Sequence, residues 1–282
     1  NSDVTIVLDL AGNKISAAMN KPHMISSAGN LTIIDSVGTG SIAKEGNSSD
    51  FGYVLENHGT MALNGIKVTS ASSKSSAIEN GWYTAAANTT GALCNMTITN
   101  SDISQTNGSG GLYTIKNDDY GVMVINGGIF TNSTASAGTV LNWNDLTIND
   151  GNFTGASAVR TLKEGELGYE KGNTLINGGT FNGKIDTLPN YSGMQISITG
   201  GTFSDTESAK EYLASGKEFD SNGKVVNTSI TIIVPSDGGN TTTTPSTDNT
   251  KNPSTGANDF VGVAAAMAVV SLLGAAAVIR KK

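Results

Sequence analysis

Several residue types are scarce in this chain, and each scarcity excludes a class of protein. A single cysteine, Cys94, among 282 residues rules out a fold held by intramolecular disulfides. Lys and Arg number 17 against 24 Asp and Glu, and no basic stripe marks a nucleic-acid partner. Of five prolines, three lie beyond residue 231, so the upstream chain is free to form uninterrupted strands. Stability must therefore come from burial of strands.

A degenerate internal repeat is the strongest signal in the remaining sequence. Four nearly superimposable segments of eight residues begin at Met123, Leu146, Thr174 and Ile196. Each contains Ile at its third position, then a turn with glycine, and ends in Phe. Weaker copies begin at Leu31, Met61 and Met96, and residues 8–15 are expected to form an eighth. The copies recur every 22 to 35 residues, which excludes the strict hexapeptide period of a left-handed β-helix. An antiparallel sandwich remains the alternative.

Alternation within the copies predicts that like residues stack on like in a solenoid. Three inward columns follow: Ile33, Leu63, Ile98, Ile125, Ile148, Ile176 and Ile198; Leu31, Met61, Met96, Met123, Leu146, Thr174 and Ile196; and Val68, Ile103, Phe130, Phe153, Phe181 and Phe203. Turn asparagines upstream of the copies are expected to stack as well: Asn57, Asn80, Asn117 and Asn142.

The repeat resembles the pectin-lyase-like parallel β-helices of bacterial surface proteins. This resemblance implies an all-β fold, a right-handed parallel β-helix over residues 1–203. Residues 204–234 are predicted to cap its C-terminal end, with Ser204 to Glu207 as a capping box ahead of a short helix. Residues 235–251 contain only polar residues, Gly and Pro, which predicts a disordered linker.

The C-terminal 31 residues have the order of a secretion and anchoring signal. Asn252, Pro253, Ser254, Thr255 and Gly256 precede an apolar run over 260–279 and a basic tail, Arg280 to Lys282. Twenty helical residues rise about 30 Å, enough for a transmembrane helix. This order resembles a Gram-positive cell-wall sorting signal, usually Leu-Pro-any-Thr-Gly, with Asn in place of Leu. The resemblance implies cleavage by a sortase between Thr255 and Gly256, after membrane insertion, and covalent attachment of Thr255 to peptidoglycan.

Two other interpretations of the termini stay open. The C-terminal run would also serve as a plain membrane anchor. At the other end no signal peptide precedes Asn1, so we expect the sequence to be a mature form or an N-terminally truncated piece.

Aromatic and acidic residues collect in the turn after each asparagine, where His58 also lies. Aromatic rings stack on sugar faces and carboxylates accept hydroxyl hydrogen bonds, so this edge is a candidate glycan-binding site. The alternative is that these residues serve turn geometry and cover backbone. The candidate residues are Trp82, Tyr83, Asp118, Asp119, Tyr120, Trp143 and Asp145.

An enzyme of the same fold is a further alternative. A polysaccharide lyase or glycoside hydrolase needs acids such as Asp118, Asp119 and Asp145, with Lys116 or Arg160 as the nearby cation. Adjacent Asp118 and Asp119 would point to opposite faces of a strand, so no catalytic residue is assigned.

Metal and cofactor sites are not expected from the spacing of ligand residues. The only histidines, His23 and His58, fall on different coils, with no His or Cys at ligand spacing. Cys94 shares the parity of Met96 and Ile98 and is predicted to be an inert core thiol.

Together these patterns predict an extracellular, wall-anchored surface protein of Gram-positive type, adhesin-like or structural. Its partners would be sortase, peptidoglycan, and a glycan or host matrix surface, but no nucleic acid. A passive stalk for a further N-terminal domain is the second alternative.

Overall fold

The computed structural model describes residues 4–18, 23–48, 52–107, 112–163, 171–188 and 193–229. They all fall in the first of two units of the chain, residues 1–230. The predicted linker, sorting pentapeptide, apolar run and basic tail lie outside the described residues. Among the residues that are described, no helix has the length and apolarity to span a membrane.

Twenty-one short strands make up nearly all the regular structure of the described chain. In chain order they are β1 (Thr5–Asp9), β2 (Lys14–Ala18), β3 (Ile25–Ser27), β4 (Asn30–Ile34), β5 (Ser41–Ser48), β6 (Leu55–Asn57), β7 (Thr60–Asn64), β8 (Lys67–Ser72), β9 (Ile78–Asn80), β10 (Cys94–Thr99), β11 (Ser101–Gln105), β12 (Ile115–Asn117), β13 (Gly121–Asn132), β14 (Gly138–Asn142), β15 (Asp145–Thr161), β16 (Asn173–Ile176), β17 (Thr180–Asp186), β18 (Gln195–Ile198), β19 (Thr202–Phe203), β20 (Lys217–Phe219) and β21 (Val225–Asn227).

The first nineteen strands form a parallel β-solenoid of the right-handed type, as predicted. Each of the first six coils contributes a strand, or part of a long strand, to each of three faces. The first face contains β1, β4, β7, β10, the start of β13, the start of β15, β16 and β18; the second begins with β2, β5, β8 and β11; the third contains β3, β6, β9, β12, β14 and the end of β15. Since all these pairings are parallel, an antiparallel sandwich is excluded.

The register confirms the predicted inward columns. Ile33 pairs with Leu63, and the column continues through Ile98, Ile125 and Ile148 to the last coils. The seven members of this column are all 0% exposed. The expected eighth copy is also present, because Leu8 pairs with Ile33. Like-on-like stacking is therefore the source of the core.

Four phenylalanines form the C-terminal half of the third column. Ring centroids are 4.7 Å apart between Phe130 and Phe153, 5.0 Å between Phe153 and Phe181, and 4.6 Å between Phe181 and Phe203. The rings are nearly parallel, so each one covers the next across the coil spacing of about 4.8 Å.

Asparagines stack at two places in the solenoid. The predicted turn asparagines are fully buried, and each side-chain amide donates to the next: Asn57 to Asn80 (2.7 Å), Asn80 to Asn117 (2.8 Å) and Asn117 to Asn142 (2.8 Å). We call this series the buried asparagine ladder. A second, exposed series links Asn126, Asn149, Asn177 and Thr199.

Glycine is required where neighbouring coils touch. At Gly128, φ is +126° and a Cβ atom would lie 2.1 Å from the carbonyl oxygen of Ser101 in the preceding coil. Only a residue without a side chain fits this close approach between coils.

A C-terminal cap covers the last coil, but its details differ from the prediction. Helix α1 spans Thr206–Ala209, and Asp205 rather than Ser204 is its N-cap, accepting from the Ser208 amide at 3.0 Å. A 3-10 turn follows at Lys210–Tyr212. The strands β20 and β21 then pair antiparallel. Asp205 replaces Ser204 as the N-cap because it lies one residue closer to the free amide groups in the first turn of α1.

Candidate functional site

The outward row of the third face carries a series of ionisable residues. Inward neighbours such as Leu55 and Asn57 are 0% exposed, so the residue between them points outward. In register, this row contains Ser26, Glu56, Glu79 and Lys116. Parallel pairing therefore places two glutamates side by side and a lysine beside the second.

Two histidines from neighbouring coils flank Glu56. The Nδ1 atom of His23 lies 3.5 Å from Glu56 Oε1, and Nε2 of His58 lies 3.7 Å from the same oxygen. The hydroxyl of Ser26 donates to the other carboxylate oxygen, Oε2, at 2.6 Å. We refer to His23, Glu56, His58 and Glu79 as the Glu56 cluster.

Burial changes the protonation of two members of this cluster. Desolvation raises the pKa of Glu79 to about 8; the nearby Asp118 and Glu56 carboxylates act in the same direction, while Lys116 and Tyr53 oppose them. Desolvation also lowers the pKa of His58, against the opposing effect of Glu56. In both residues, burial favours the uncharged form.

Aromatic rings enclose the Glu56 cluster. The Trp82 ring stacks on the His58 imidazole, with centroids 3.8 Å apart and an interplanar angle of 7°. On the other side the Tyr53 ring stacks on His23, with centroids 5.7 Å apart. The Trp82 backbone amide donates to the Asp119 carbonyl oxygen at 3.0 Å, which fixes the loop that carries the indole.

The structure brings four of the predicted glycan-binding residues together beside this cluster. Trp82 and Tyr83 begin the loop after β9, and Asp118 and Asp119 occupy the corresponding turn of the next coil. Lys116 forms an ion pair with Asp118 and lies over the Tyr83 ring, 4.7 Å from its centroid. Tyr83 itself is 64% exposed.

The three other candidates are more dispersed. Trp143 is half-buried one coil further on, where its amide donates to the Asn117 carbonyl. Tyr120 adopts a left-handed φ of +64° in the turn. Asp145 lies at the first face, where it accepts from Lys171 (2.7 Å) and Asn173 (2.8 Å), and it lines a shallow surface groove.

The two central aspartates are not surface ligands, contrary to the expectation of an acidic edge open to sugars. Asp118 is 3% exposed and Asp119 is 6% exposed. Asp118 is buried because it pairs with Lys116 and accepts the Asp119 amide at 3.1 Å. The accessible part of the candidate edge is therefore aromatic.

Sequence reasoning missed the Glu56 cluster, although a signal for it was present. The triplets Leu55–Asn57, Ile78–Asn80 and Ile115–Asn117 all read apolar, charged, Asn, and each ends on a member of the buried asparagine ladder. Aligning these triplets, instead of the glycine turns alone, would have placed Glu56, Glu79 and Lys116 in one row. His23 carries no such signal, because it lies outside the repeated triplet.

Neighbouring carboxyl groups, one of which has a raised pKa, are also found at sites of acid–base catalysis. Glu79, however, is 1% exposed and enclosed by aromatic rings, so a polymer chain has no route to it in this arrangement. This geometry disfavours a polysaccharide lyase or hydrolase at the Glu56 cluster.

Comparisons with family models, with curated proteins and with solved structures returned no match for this chain. Its function is therefore argued from its own residues.

Proposed function

We propose that the chain is an exported surface protein of Gram-positive type, in which a rigid parallel β-solenoid is displayed from the cell wall. The observation that supports this best is the unbroken stacking of the core from Leu8 to Phe203. Each interior coil pairs its backbone with both neighbours, which leaves few openings for proteases outside the cell. The Asn252–Gly256 pentapeptide, apolar run and basic tail supply the route to the wall.

Attachment to the wall is tested in a Gram-positive host with working sortase. The chain is fused to a secretion signal, and peptidoglycan digested with a muramidase is probed for it. We expect the chain in this wall fraction, bound through Thr255. Thr255→Ala should shift it to the membrane fraction with its basic tail intact, whereas Thr250→Ala, a matched threonine outside the pentapeptide, should not. If the parent chain and both variants stay in the membrane fraction to the same extent, the C-terminal segment is only a membrane anchor.

The displayed surface is proposed to bind a glycan through the aromatic edge at Trp82 and Tyr83. Tyr83 is the most accessible ring there, and Lys116 below it holds the ring in place. Stacking of a sugar on an exposed ring is typical of carbohydrate-binding surfaces. The occupant would be a neutral or cationic glycan, since the chain carries a net charge of −7.

A glycan array separates binding from a passive stalk. We expect Tyr83→Ala to reduce the signal at least about tenfold, the order of a lost aromatic contact, while Tyr83→Phe, which keeps the ring, retains it. Binding that is unchanged in Tyr83→Ala would place the contact elsewhere. No binding by the parent chain, with normal wall retention, would identify the solenoid as a stalk.

A further inference from the structure

Independently of the surface role, we propose that Glu56, His58 and Glu79 form a binding site for a divalent transition-metal ion of the zinc class. One ligand atom from each residue lies within 4.8 Å of the others. Glu56 and Glu79 are register partners on β6 and β9, and His58 follows β6 directly. Coil stacking therefore brings Glu79 beside Glu56 and His58, which are neighbours along the chain.

The strongest sign of a missing partner is the carboxyl group of Glu79. Its side chain is 1% exposed; Tyr53 hydrogen-bonds to the carboxyl group, but the Oε1 atom has no hydrogen-bond partner among the described residues. The Nδ1 atom of His23 is likewise buried without a hydrogen bond, 3.5 Å from Glu56 Oε1. Buried polar atoms are ordinarily paired, so two open ones around a single carboxylate indicate a cation.

The separations suit a bound ion after small side-chain movements. Tetrahedral zinc with bonds of about 2.1 Å sets its ligand atoms about 3.4 Å apart. The Glu56–His58 separation of 3.7 Å is close to this value. The third ligand atom, an oxygen of Glu79, lies within 4.8 Å of these two atoms, and His23 Nδ1, 3.5 Å from Glu56 Oε1, is the candidate for a fourth ligand.

Neighbouring side chains already hold the ligands in orientation, as the partners of metal ligands do in known sites. Ser26 donates to Glu56 Oε2, leaving Oε1 directed at the histidines. Trp82 fixes the plane of the His58 ring and keeps water from it. Such an ion would join the first three coils and serve stability rather than catalysis, because the site is enclosed.

The donor set determines the class of ion. Imidazole nitrogen together with carboxylate oxygen suits zinc and its neighbours, whereas calcium and magnesium prefer sites made of oxygen alone. Cys94 is outside the group, so no thiolate selects a softer metal.

The test uses the full chain stripped of metal with a chelator and titrated with zinc chloride by calorimetry, with melting temperature as a second reading. We expect one zinc ion per chain and a higher melting temperature, and no shift with calcium or magnesium. Glu79→Gln, which keeps the shape of the side chain, and His58→Phe, which keeps the stack on Trp82, should each weaken zinc binding at least about tenfold. Glu45→Gln, a glutamate exposed on the second face, is the matched control and should bind as the parent does.

Absence of zinc binding by the parent chain would overturn the proposal. So would equal affinity in the parent chain and both ligand variants, since the ion would then sit elsewhere. If either variant fails to fold, X-ray absorption of the zinc-loaded parent chain decides: a first shell with imidazole nitrogen and carboxylate oxygen supports the site, and a shell of oxygen alone contradicts it.

Discussion

The buried asparagine ladder concentrates hydrogen bonding at single residues. Asn117 is 0% exposed; its amide donates to Asn142, to the Asp145 carbonyl and to the Gly121 carbonyl, and it accepts from Asn80. Replacing it with alanine leaves these buried groups without partners. We expect Asn117→Ala to lower the free energy of unfolding by about 1–3 kcal/mol, the usual cost of unsatisfied buried groups.

Asn149→Ala is the matched control, because Asn149 makes the same amide-to-amide contacts in the exposed series. Water replaces lost partners there, so the loss should stay within about 0.5 kcal/mol. Denaturant unfolding of the two variants measures the difference. Equal losses would mean that burial does not set the strength of the ladder.

Residue-scale prediction from sequence worked where a repeat imposed one side-chain type and failed where it did not. The inward columns and the ladder asparagines could be aligned because Ile, Phe and Asn recur at equivalent positions. Cys94 was also placed correctly: it is fully buried, and desolvation raises its pKa to about 11. Lys44 shows the limit, since it is 1% exposed and donates to the Gly52 carbonyl at 2.7 Å, a contact that no repeated side-chain type predicts.

At the scale of elements, the Asp9 carboxylate links the turn after β1 to the turn after β4 by hydrogen bonds. Asp9 accepts the Ser36 amide at 3.0 Å and the Ala11 amide at 2.9 Å. The Ser36 backbone contact is the main reason that the pKa of Asp9 is lowered in the folded chain. A lowered folded pKa means that this contribution is complete above the unfolded pKa, near 3.8, and disappears as the pH falls through the folded value.

We therefore expect the parent chain to be more stable than Asp9→Ala at pH 6 and the gap to close below about pH 4, the range in which an aspartate titrates. Urea unfolding followed at several pH values gives the gap directly. A gap between parent and Asp9→Ala that persists unchanged to pH 2 would contradict the role of the charge.

Loops and insertions explain why the candidate site was only partly foreseen. The turn after each asparagine was identified as the edge where chemistry collects, and Trp82, Tyr83, Asp118 and Asp119 do meet there. Their exposure could not be read from the pattern, because Asp118 is covered by its ion pair with Lys116 and Asp119 by its contact with Trp82 of the preceding coil. An alternating pattern predicts which face of a strand a residue occupies, but the burial of its side chain also depends on neighbouring coils.

The molecule as a whole depends on closing the open end of its solenoid. A parallel stack presents unpaired backbone groups and an apolar cross-section at its last coil, and such edges promote association. Here Leu213 bridges to Ile198, and the Phe219 ring meets Phe203 edge-on with centroids 5.5 Å apart. Ala209, at 0% exposure, completes the cover.

Removing this cap should turn a monomer into a self-associating protein. A chain ending at Phe203 exposes the last ring of the phenylalanine column and the free side of β18, so we expect end-to-end dimers or larger species in sedimentation experiments. A chain ending at residue 229 keeps the cap and serves as the control, expected to remain monomeric at the same concentration. Circular dichroism confirms that both retain strand structure. A folded, monomeric chain 1–203 would show that the last coil needs no cover, and that the C-terminal elements serve another purpose.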